Sequence, residues 1–526
     1  MEAVVESSHF SQRWAGDWLR YLWSKVFFSG QSQSDSWLRW RSIMVVVAMP
    51  TLLLYPTRAF LLLEPDESRY AQIPREMLES GQFIVPLLQG QPYLDKPPLF
   101  YWLVELSYLL TGVSAPTARI IPALAVHLTI LLIYFLGRRS VGEPAALWGA
   151  VLLTVSPGFM GMGRLLILDG LLTLLVTAGI LCIYEAIRGE KFHRGWWILS
   201  ALACGLGILD KGPIALLLVL PPVWIYRWLN PTPISIGWKN WVLFVGCCLA
   251  INLPWYWAIY QQQPLFLKYF LWNHNILRFL HPFDHLQPIW YYLPIFLIGM
   301  IPGSFLLYPY AHFLLSCQEA DIRKRTAALG FWLITGSWCL LFFSLSGSKL
   351  PTYILSAFPC FALTFGTFLA QSSKRCKVYA RVGIGLTMLG MCGLCYFGLP
   401  WYAQQRSPMA EAQMVSHYCA DKKTPLVCFP RHCDSVSFYL GRNDLLNIRS
   451  KESQKLVEDL LTRPRTVVLF THRHSLATLR EVLPPRLRIA DVRTFQRGKN
   501  RLSLTDLLAG DSPWGLCDLA VIERVP

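Results

Sequence analysis

The chain has 526 residues, 54% of them hydrophobic, with a mean hydropathy of +0.38 and a formal net charge of +16. That is more apolar side chain than a soluble domain of this length buries, so the chain belongs in lipid. The basic residues are scattered through short loops between apolar runs. This excludes a nucleic-acid-binding stripe as the source of the charge and fits membrane topology.

Residues 1–41 lack the short apolar core and cleavage site of a signal peptide and mix Trp with Arg, Lys and Asp. They are expected to form a retained cytoplasmic arm, amphipathic and lying on the membrane surface. Runs long enough to span, or nearly so, follow at 42–63, 117–137, 144–162, 165–187, 196–209, 212–228, 241–260, 289–312, 327–346, 350–371 and 382–400. They predict a polytopic helical membrane protein of about eleven helices. The stretch 98–112 is apolar but short, begins at Pro97-Pro98 and ends at Gly112, so it is assigned to a re-entrant or interfacial segment.

The positive-inside rule supports that assignment. With the N-terminus inside, Arg138-Arg139, Arg188/Lys191/Arg194, Arg227/Lys239, Arg323-Lys324-Arg325 and Lys374-Arg375/Lys377/Arg381 all fall on the cytoplasmic side. Counting 98–112 as a span would invert every later loop. The opposite face then receives the loop 64–97, the Arg164 to Asp169 helix start, the Asp210-Lys211 turn, the loop 261–288, the Ser348–Pro351 turn and everything after 400.

Residues 42–400 are therefore read as a transmembrane catalytic domain and 401–526 as a small extracytoplasmic α/β domain. In the latter, strands are predicted at Pro425–Phe429, Ser435–Leu440, Thr466–Thr471, Leu487–Phe495 and Asp518–Ile522, alternating with helices at Lys451–Leu461 and Leu476–Leu483. Most of the 14 Cys lie in apolar runs as small packing residues. Cys419, Cys428, Cys433 and Cys517 lie in the polar region and can form one or two disulfides if it faces an oxidising compartment.

The polar clusters of the outer face carry the chemistry. Glu64-Pro65-Asp66-Glu67-Ser68-Arg69-Tyr70 places three carboxylates and an Arg at the membrane surface, where a carboxylate can act as general base or hold a divalent cation. The alternative is an acidic marker of the water interface. Tyr93-Leu94-Asp95-Lys96-Pro97-Pro98 sets a Lys before a rigid double proline, at the height of a lipid headgroup, where it either binds phosphate or snorkels. Arg164, Asp169, Asp210 and Lys211 are ionisable groups at depth, either helix-orienting ion pairs or functional. The aromatic stretch 269–279 contains His274 and Arg278 and is followed by His281, Asp284 and His285. Their spacing matches no standard metal site, and Arg278 beside aromatics suits a phosphate or a sugar ring. Ser346-Gly347-Ser348-Lys349-Leu350-Pro351-Thr352-Tyr353 opens a helix with a cation and a phenol, an arrangement suited to an anion.

The strings Asp66-Glu67-Ser68-Arg69-Tyr70-Ala71, Met77 to Gly81, Tyr93 to Leu99, Arg164 to Asp169, Asp210-Lys211-Gly212-Pro213 and Ser348 to Tyr353 resemble, in order and spacing across residues 42–400, the C-type membrane glycosyltransferases. The likeness is to the branch of aminoarabinose transferases and protein O-mannosyltransferases. The resemblance implies eleven to thirteen transmembrane helices in the inner (plasma) membrane with the active site on the periplasmic side. It implies a polyprenyl-phosphate-linked sugar donor, inversion at the sugar, and a lipid (such as lipid A), cell-envelope glycan or protein acceptor. By that similarity Asp66 is the catalytic carboxylate, with Asp169 and Glu67 as further acids. Lys96 and Arg278 hold the donor phosphate, with Tyr353, Arg69 and Lys349 around it. Asp95 and His274 are the candidates for a divalent metal ion, although Asp95 stands where the aminoarabinose transferases usually carry Glu, and Trp272-Asn273-His274-Asn275 departs from the family pattern. From a different class, a secondary transporter would also gather charges, but near the midplane and open to both faces in turn.

Overall fold

The structure, a computed structural model, describes residues 33–230, 233–280, 285–419, 421–472, 474–495 and 517–525. It divides into two compact units, Met1–Ala48 and Met49–Pro526. The described part of the first lies within the helix Gln33–Leu54. The expected arm 1–41 falls mostly outside the described residues.

Among the described residues, seven helical runs are long and apolar enough to cross a membrane: Arg39–Arg58, Ala115–Val141, Leu168–Ile187, Trp238–Gln262, Ala327–Leu345, Pro351–Gln371 and Lys374–Arg406. An eighth, Ile289–Gly299 with Gly303–Leu315, is bent by 99° at a break that contains Pro302, which has no N–H to continue the ladder. Glu143–Val155, Ile214–Leu229 and Leu99–Thr111 are apolar but shorter. At about 1.5 Å per residue the last reaches roughly 20 Å, short of the hydrocarbon thickness.

Leu168–Ile187 and Pro351–Gln371 are 83% and 89% buried by the rest of the protein, whereas Lys374–Arg406 is only 17% buried, so the first two run through the centre of the helical part and the third lies at its edge. Close approach at the centre depends on small residues. A Cβ on Gly366 would stand 2.2 Å from the Ala145 carbonyl oxygen, and one on Gly149 2.9 Å from that of Ala362. Any larger residue would push the helices Glu143–Val155 and Ala357–Gln371 apart.

After residue 400 the chain builds a mixed sheet. A small hairpin, β1 (Leu87–Leu88) and β2 (Gln91–Pro92), precedes it in the sequence. The sheet consists of β3 (Leu426–Phe429), β4 (Leu445–Asn447), β5 (Arg465–Phe470), β6 (Leu487–Thr494) and β7 (Asp518–Arg524), in the order β4-β3-β5-β7-β6. The pairs β4-β3 and β3-β5 are parallel, while β5-β7 and β7-β6 are antiparallel. Alternate residues serve opposite cores: Leu426, Cys428, Val467, Leu469, Leu519 and Val521 share one, and Val427, Phe429, Val468, Phe470, Ala520 and Ile522 the other. Both faces are covered, so these strands read as unbroken apolar runs.

One expectation is corrected here. Ser435–Leu440, read as a strand, is the helix Asp434–Leu440. It ends at Gly441 with φ +62°, a left-handed stop that glycine adopts without strain. β4, too short for a periodic signal, was not anticipated. Of the four polar-region cysteines, Cys428 and Cys433 form a disulfide, while Cys419 and Cys517 are buried.

Candidate active site

The first wall is the helix Asp66–Ser80. Its first turn carries Asp66 and Glu67, whose charges complement the positive end of the helix dipole. The two side chains have different fates. Asp66 is 55% exposed and lies 3.7 Å from the Arg69 guanidinium. Burial works against the charge of Arg69, but Tyr93, Tyr70, Asp66 and Asp434 around it outweigh that and hold it firmly protonated.

Glu67 is 2% exposed. Its carboxylate accepts from Arg119 Nε at 3.0 Å and Nη2 at 2.5 Å, and from the backbone N–H groups of Leu166 and Leu63 at 3.0 and 3.1 Å. Both of its oxygens are thus engaged by donors from within the protein. Arg119 completes the arrangement by donating to the carbonyls of Arg58, Phe60 and Leu61 at 2.9, 2.6 and 3.2 Å. Its guanidinium stacks 3.6 Å from the centroid of the Phe60 ring. The loop that precedes Asp66 is thereby clamped to the helix that carries it.

The second wall is the turn after β2. Asp95 accepts from the Tyr269 hydroxyl at 2.7 Å, and Lys96 Nζ lies 2.7 Å from His274 Nε2. Burial alone would raise the Asp95 carboxyl, but His274, the Tyr269 hydroxyl and Lys96 together hold it below the usual carboxylate range. His274 belongs to the π-helical stretch Lys268–Leu277, its ring stacked on Phe270 with centroids 6.3 Å apart. As metal ligands, Asp95 and His274 fit poorly. The Lys96 ammonium occupies the approach to His274 Nε2, and no group of three His, Cys, Asp or Glu among the described residues could hold an ion. Arg278 opens the short helix Arg278–Leu280, but its side chain is outside the described residues, as are His281 and Asp284.

The third wall is deeper. Asp169, in the first turn of the helix Leu168–Ile187, accepts from Lys211 Nζ at 2.6 Å. Lys211 ends the helix Arg194–Lys211 and holds its ammonium 5.0 Å from the Tyr353 ring centroid. The neighbouring Asp210 is fully buried, with neither oxygen hydrogen-bonded among the described residues. Arg164 does not join the group: it donates to the Leu53 and Thr57 carbonyls at 3.1 and 2.7 Å and to Thr57 Oγ1 at 2.5 Å.

Lys349 also stays out. It is 3% exposed and donates to the carbonyls of Gln287, at 3.0 Å, and Ser346. Its ammonium is taken up by backbone carbonyls from two segments, which the turn signature in the sequence does not show. Lys349→Met should therefore cost about 1–3 kcal/mol of stability by leaving buried carbonyls without a donor. The check is thermal unfolding alongside binding of an amphipathic phosphate, whose affinity should not change.

Lys96, Lys211, His274, Ser348 and Tyr353 form the polar end of a cavity of about 480 Å³. Leu172, Ile214, Leu217, Leu271, Phe279 and Phe342 line the rest. Two ammonium groups at the head of an apolar slot suit an anionic group carried on a hydrocarbon chain. Lys211 was the residue that sequence reasoning left out of the anion-binding set. Its signal was present, since an ionisable side chain at the end of an apolar helix is rarely without a role.

The profile of the family described as dolichyl-phosphate-mannose-protein mannosyltransferase matches residues 39–270. Among curated proteins, the chain is 33% identical over 377 residues to an undecaprenyl phosphate-alpha-4-amino-4-deoxy-L-arabinose arabinosyl transferase from Edwardsiella ictaluri, covering 69% of this chain and 66% of that one. It is equally identical over 382 residues to the transferase of the same name from Pseudomonas aeruginosa, covering 70% and 67%. The chain thus spans a little under two thirds of the first of these relatives. In fold it is similar to the crystal structure of ArnT from Cupriavidus metallidurans bound to undecaprenyl phosphate, with a TM-score of 0.71 at 17% identity, covering 91% of this chain and 97% of the other. The Archaeoglobus fulgidus oligosaccharyltransferase is a more distant likeness, with a TM-score of 0.50 at 11% identity, covering 84% and 70%.

Proposed function

We propose, because this chain belongs to the family of the undecaprenyl phosphate-alpha-4-amino-4-deoxy-L-arabinose arabinosyl transferases, that it transfers a sugar from a polyprenyl-phosphate donor to a lipid or cell-envelope glycan acceptor. The observation that carries this reading is the cavity with Lys96 and Lys211 at its head and apolar walls behind them. A soluble nucleotide sugar would need no hydrocarbon slot. A polyprenyl phosphate needs both halves.

In this reading the phosphate lies against Lys96 and Lys211, with Tyr353 beside them and Arg278 contributed from the aromatic stretch. The acceptor nucleophile approaches Asp66, which takes its proton or orients it. A bond forms from the acceptor oxygen to the anomeric carbon as the bond from that carbon to the phosphate oxygen breaks, and the electron pair leaves with the lipid phosphate. A single displacement inverts the anomeric centre. Preorganised cations in a partly dry site stabilise the leaving charge as it develops. Asp169 acts through Lys211, fixing the ammonium by their 2.6 Å ion pair.

The same reading places residues 42–400 in the plasma membrane, with the site and residues 401–526 on the outer face. The alignment of basic loops supports this, and so does the Cys428–Cys433 disulfide, which an oxidising compartment preserves.

Lys96→Ala should weaken donor binding by about 1.5–3 kcal/mol, the range for a lost hydrogen bond to a charged group. The donor KM reads this out, with the fold intact by thermal unfolding. The test of the whole reading is incubation of the purified protein with radiolabelled polyprenyl-phosphate sugars and a lipid extract. No transfer from any donor, together with flux of sugar or lipid in liposomes, would point to a transporter. The match to the mannosyltransferase profile favours a second reading, a protein O-mannosyltransferase. Label appearing in peptide rather than lipid would select it.

A further inference from the structure

A second cluster of ionisable groups lies where the sheet-containing part of the chain meets the first turn of the Asp66 helix, and the proposed reaction does not use it. Glu64 Oε1 accepts from the Ser435 backbone N–H at 2.8 Å, and Glu64 Oε2 accepts from Ser68 Oγ. One carboxyl thus joins the start of the helix Asp434–Leu440 to the first turn of the helix Asp66–Ser80. Across from it stands Asp434, fully buried. Its Oδ1 accepts from Gln89 Nε2 at 3.1 Å and Asn447 Nδ2 at 2.9 Å, while its Oδ2 is buried and has no hydrogen-bond partner among the described residues.

Two carboxyls held this way tolerate one charge far better than two. Burial first, and the charge of Asp434 second, push the Glu64 carboxyl up to about 7, against the opposing pull of its bonds from Ser435 and Ser68. The other charged and titratable groups around the pair are Arg69, which lies under the influence of both Asp66 and Asp434, and Tyr439, with Glu67 and Arg119 behind it. His432 completes the set, with Arg449 and Glu452 beyond it. Burial depresses the His432 imidazole below its usual value, against the opposing pull of Asp434.

We propose that Glu64 and Asp434 form a proton-dependent clasp between the sheet-containing part and the helix that presents Asp66, closed while Glu64 holds its proton and loosened when Glu64 becomes charged beside Asp434. On loosening, the O–H bond of Glu64 breaks and its proton passes to water. Glu64 stands two residues before Asp66 and is tied to the same helical turn through Ser68, so the clasp sets where Asp66 points. Glu64 and Asp434 are positioning residues.

The sign follows from linkage. The folded carboxyl of Glu64 titrates above its ordinary value of 4.5, so the folded state holds the extra proton and loses stability as pH rises from there to about 7. Only the effect on rate rests on the glycosyltransferase reading; the effect on stability does not.

The experiment follows the full-length protein in detergent between pH 5 and pH 8.5, measuring the midpoint of thermal unfolding and, with polyprenyl-phosphate aminoarabinose and a lipid extract, kcat and the donor KM. The wild-type midpoint is expected to fall as pH rises, and kcat to fall several-fold over the same interval with the donor KM unchanged. Glu64→Gln, whose amide keeps an acceptor for Ser435, should flatten both profiles. Asp434→Asn, which removes the like charge, should flatten them too and stands in if the first variant does not fold. A midpoint that falls in parallel in wild type and both variants overturns the clasp. Flattened midpoints with no transfer by any protein at any pH uphold the clasp and count against the glycosyltransferase reading.

Discussion

Asp66→Asn is expected to abolish transfer, with kcat lowered by about 10²–10⁴-fold, the range for removal of a positioned general base. Asp66 is the one acid of its cluster left open: its side chain is 55% exposed, and its ion-pair partner Arg69 stands 3.7 Å away, too far to consume the carboxylate. Glu67, one residue on, is closed off by Arg119 and two backbone N–H groups. Asparagine keeps the size and the orientation of the oxygen but cannot take a proton. The loss should therefore appear in kcat, with binding of the polyprenyl phosphate nearly unchanged, since that lipid meets Lys96 and Lys211 rather than Asp66 in the proposed arrangement. Single-turnover transfer measured beside equilibrium binding of undecaprenyl phosphate separates the two. Retained transfer at one tenth of the wild-type rate or more would remove Asp66 from the reaction.

The contrast between Asp66 and Glu67 marks where the sequence stopped being informative. Adjacent acids at a membrane surface read alike, because composition and spacing carry no record of which one meets Arg119 from a helix more than fifty residues away. The surroundings of Lys349 were illegible for the same reason: its partners are the Gln287 and Ser346 carbonyls, and backbone acceptors leave no trace in residue types. Long apolar periods were legible, since a span must hide some twenty residues from water. The break at Pro302, by contrast, sits inside a run that hydropathy alone counts as one helix. In the sheet-containing part, the runs Pro425–Phe429 and Thr466–Thr471 read as strands and fold as Leu426–Phe429 and Arg465–Phe470. The segment Asp434–Leu440 alternates polar and apolar residues as a strand would, yet it folds as a helix, because the contacts of Asp434 and Ser435 with Gln89 and Glu64 are tertiary. Lys211 was visible as a charge at depth, but its meeting with Lys96 and Tyr353 in one cavity depends on how the helices pack.

The largest effect on stability is expected from Arg119→Ala. Arg119 is 1% exposed, and removing it leaves the buried Glu67 carboxylate uncompensated and the carbonyls of Arg58, Phe60 and Leu61 without their donor. Breaking one side of a buried pair costs about 3–5 kcal/mol, more than the pair itself contributes, because the remaining charge has no water to turn to. The pH dependence gives the argument a second handle. Burial alone would raise Glu67, but the Arg119 charge and its hydrogen bonds, with those from Leu166 and Leu63, hold the carboxyl below its ordinary value. A depressed carboxyl lends stability that is fully present above its unfolded value of 4.5 and is lost as pH falls through the folded one. Wild type should therefore lose part of its unfolding midpoint on acidification below that point. Arg119→Ala should start lower and lose less, and Glu67→Gln should lack this component while keeping more of the neutral-pH stability, since a neutral amide can still accept from Arg119. Equal acid sensitivity in all three proteins would mean that the clamp beneath Asp66 is not held by this charge pair.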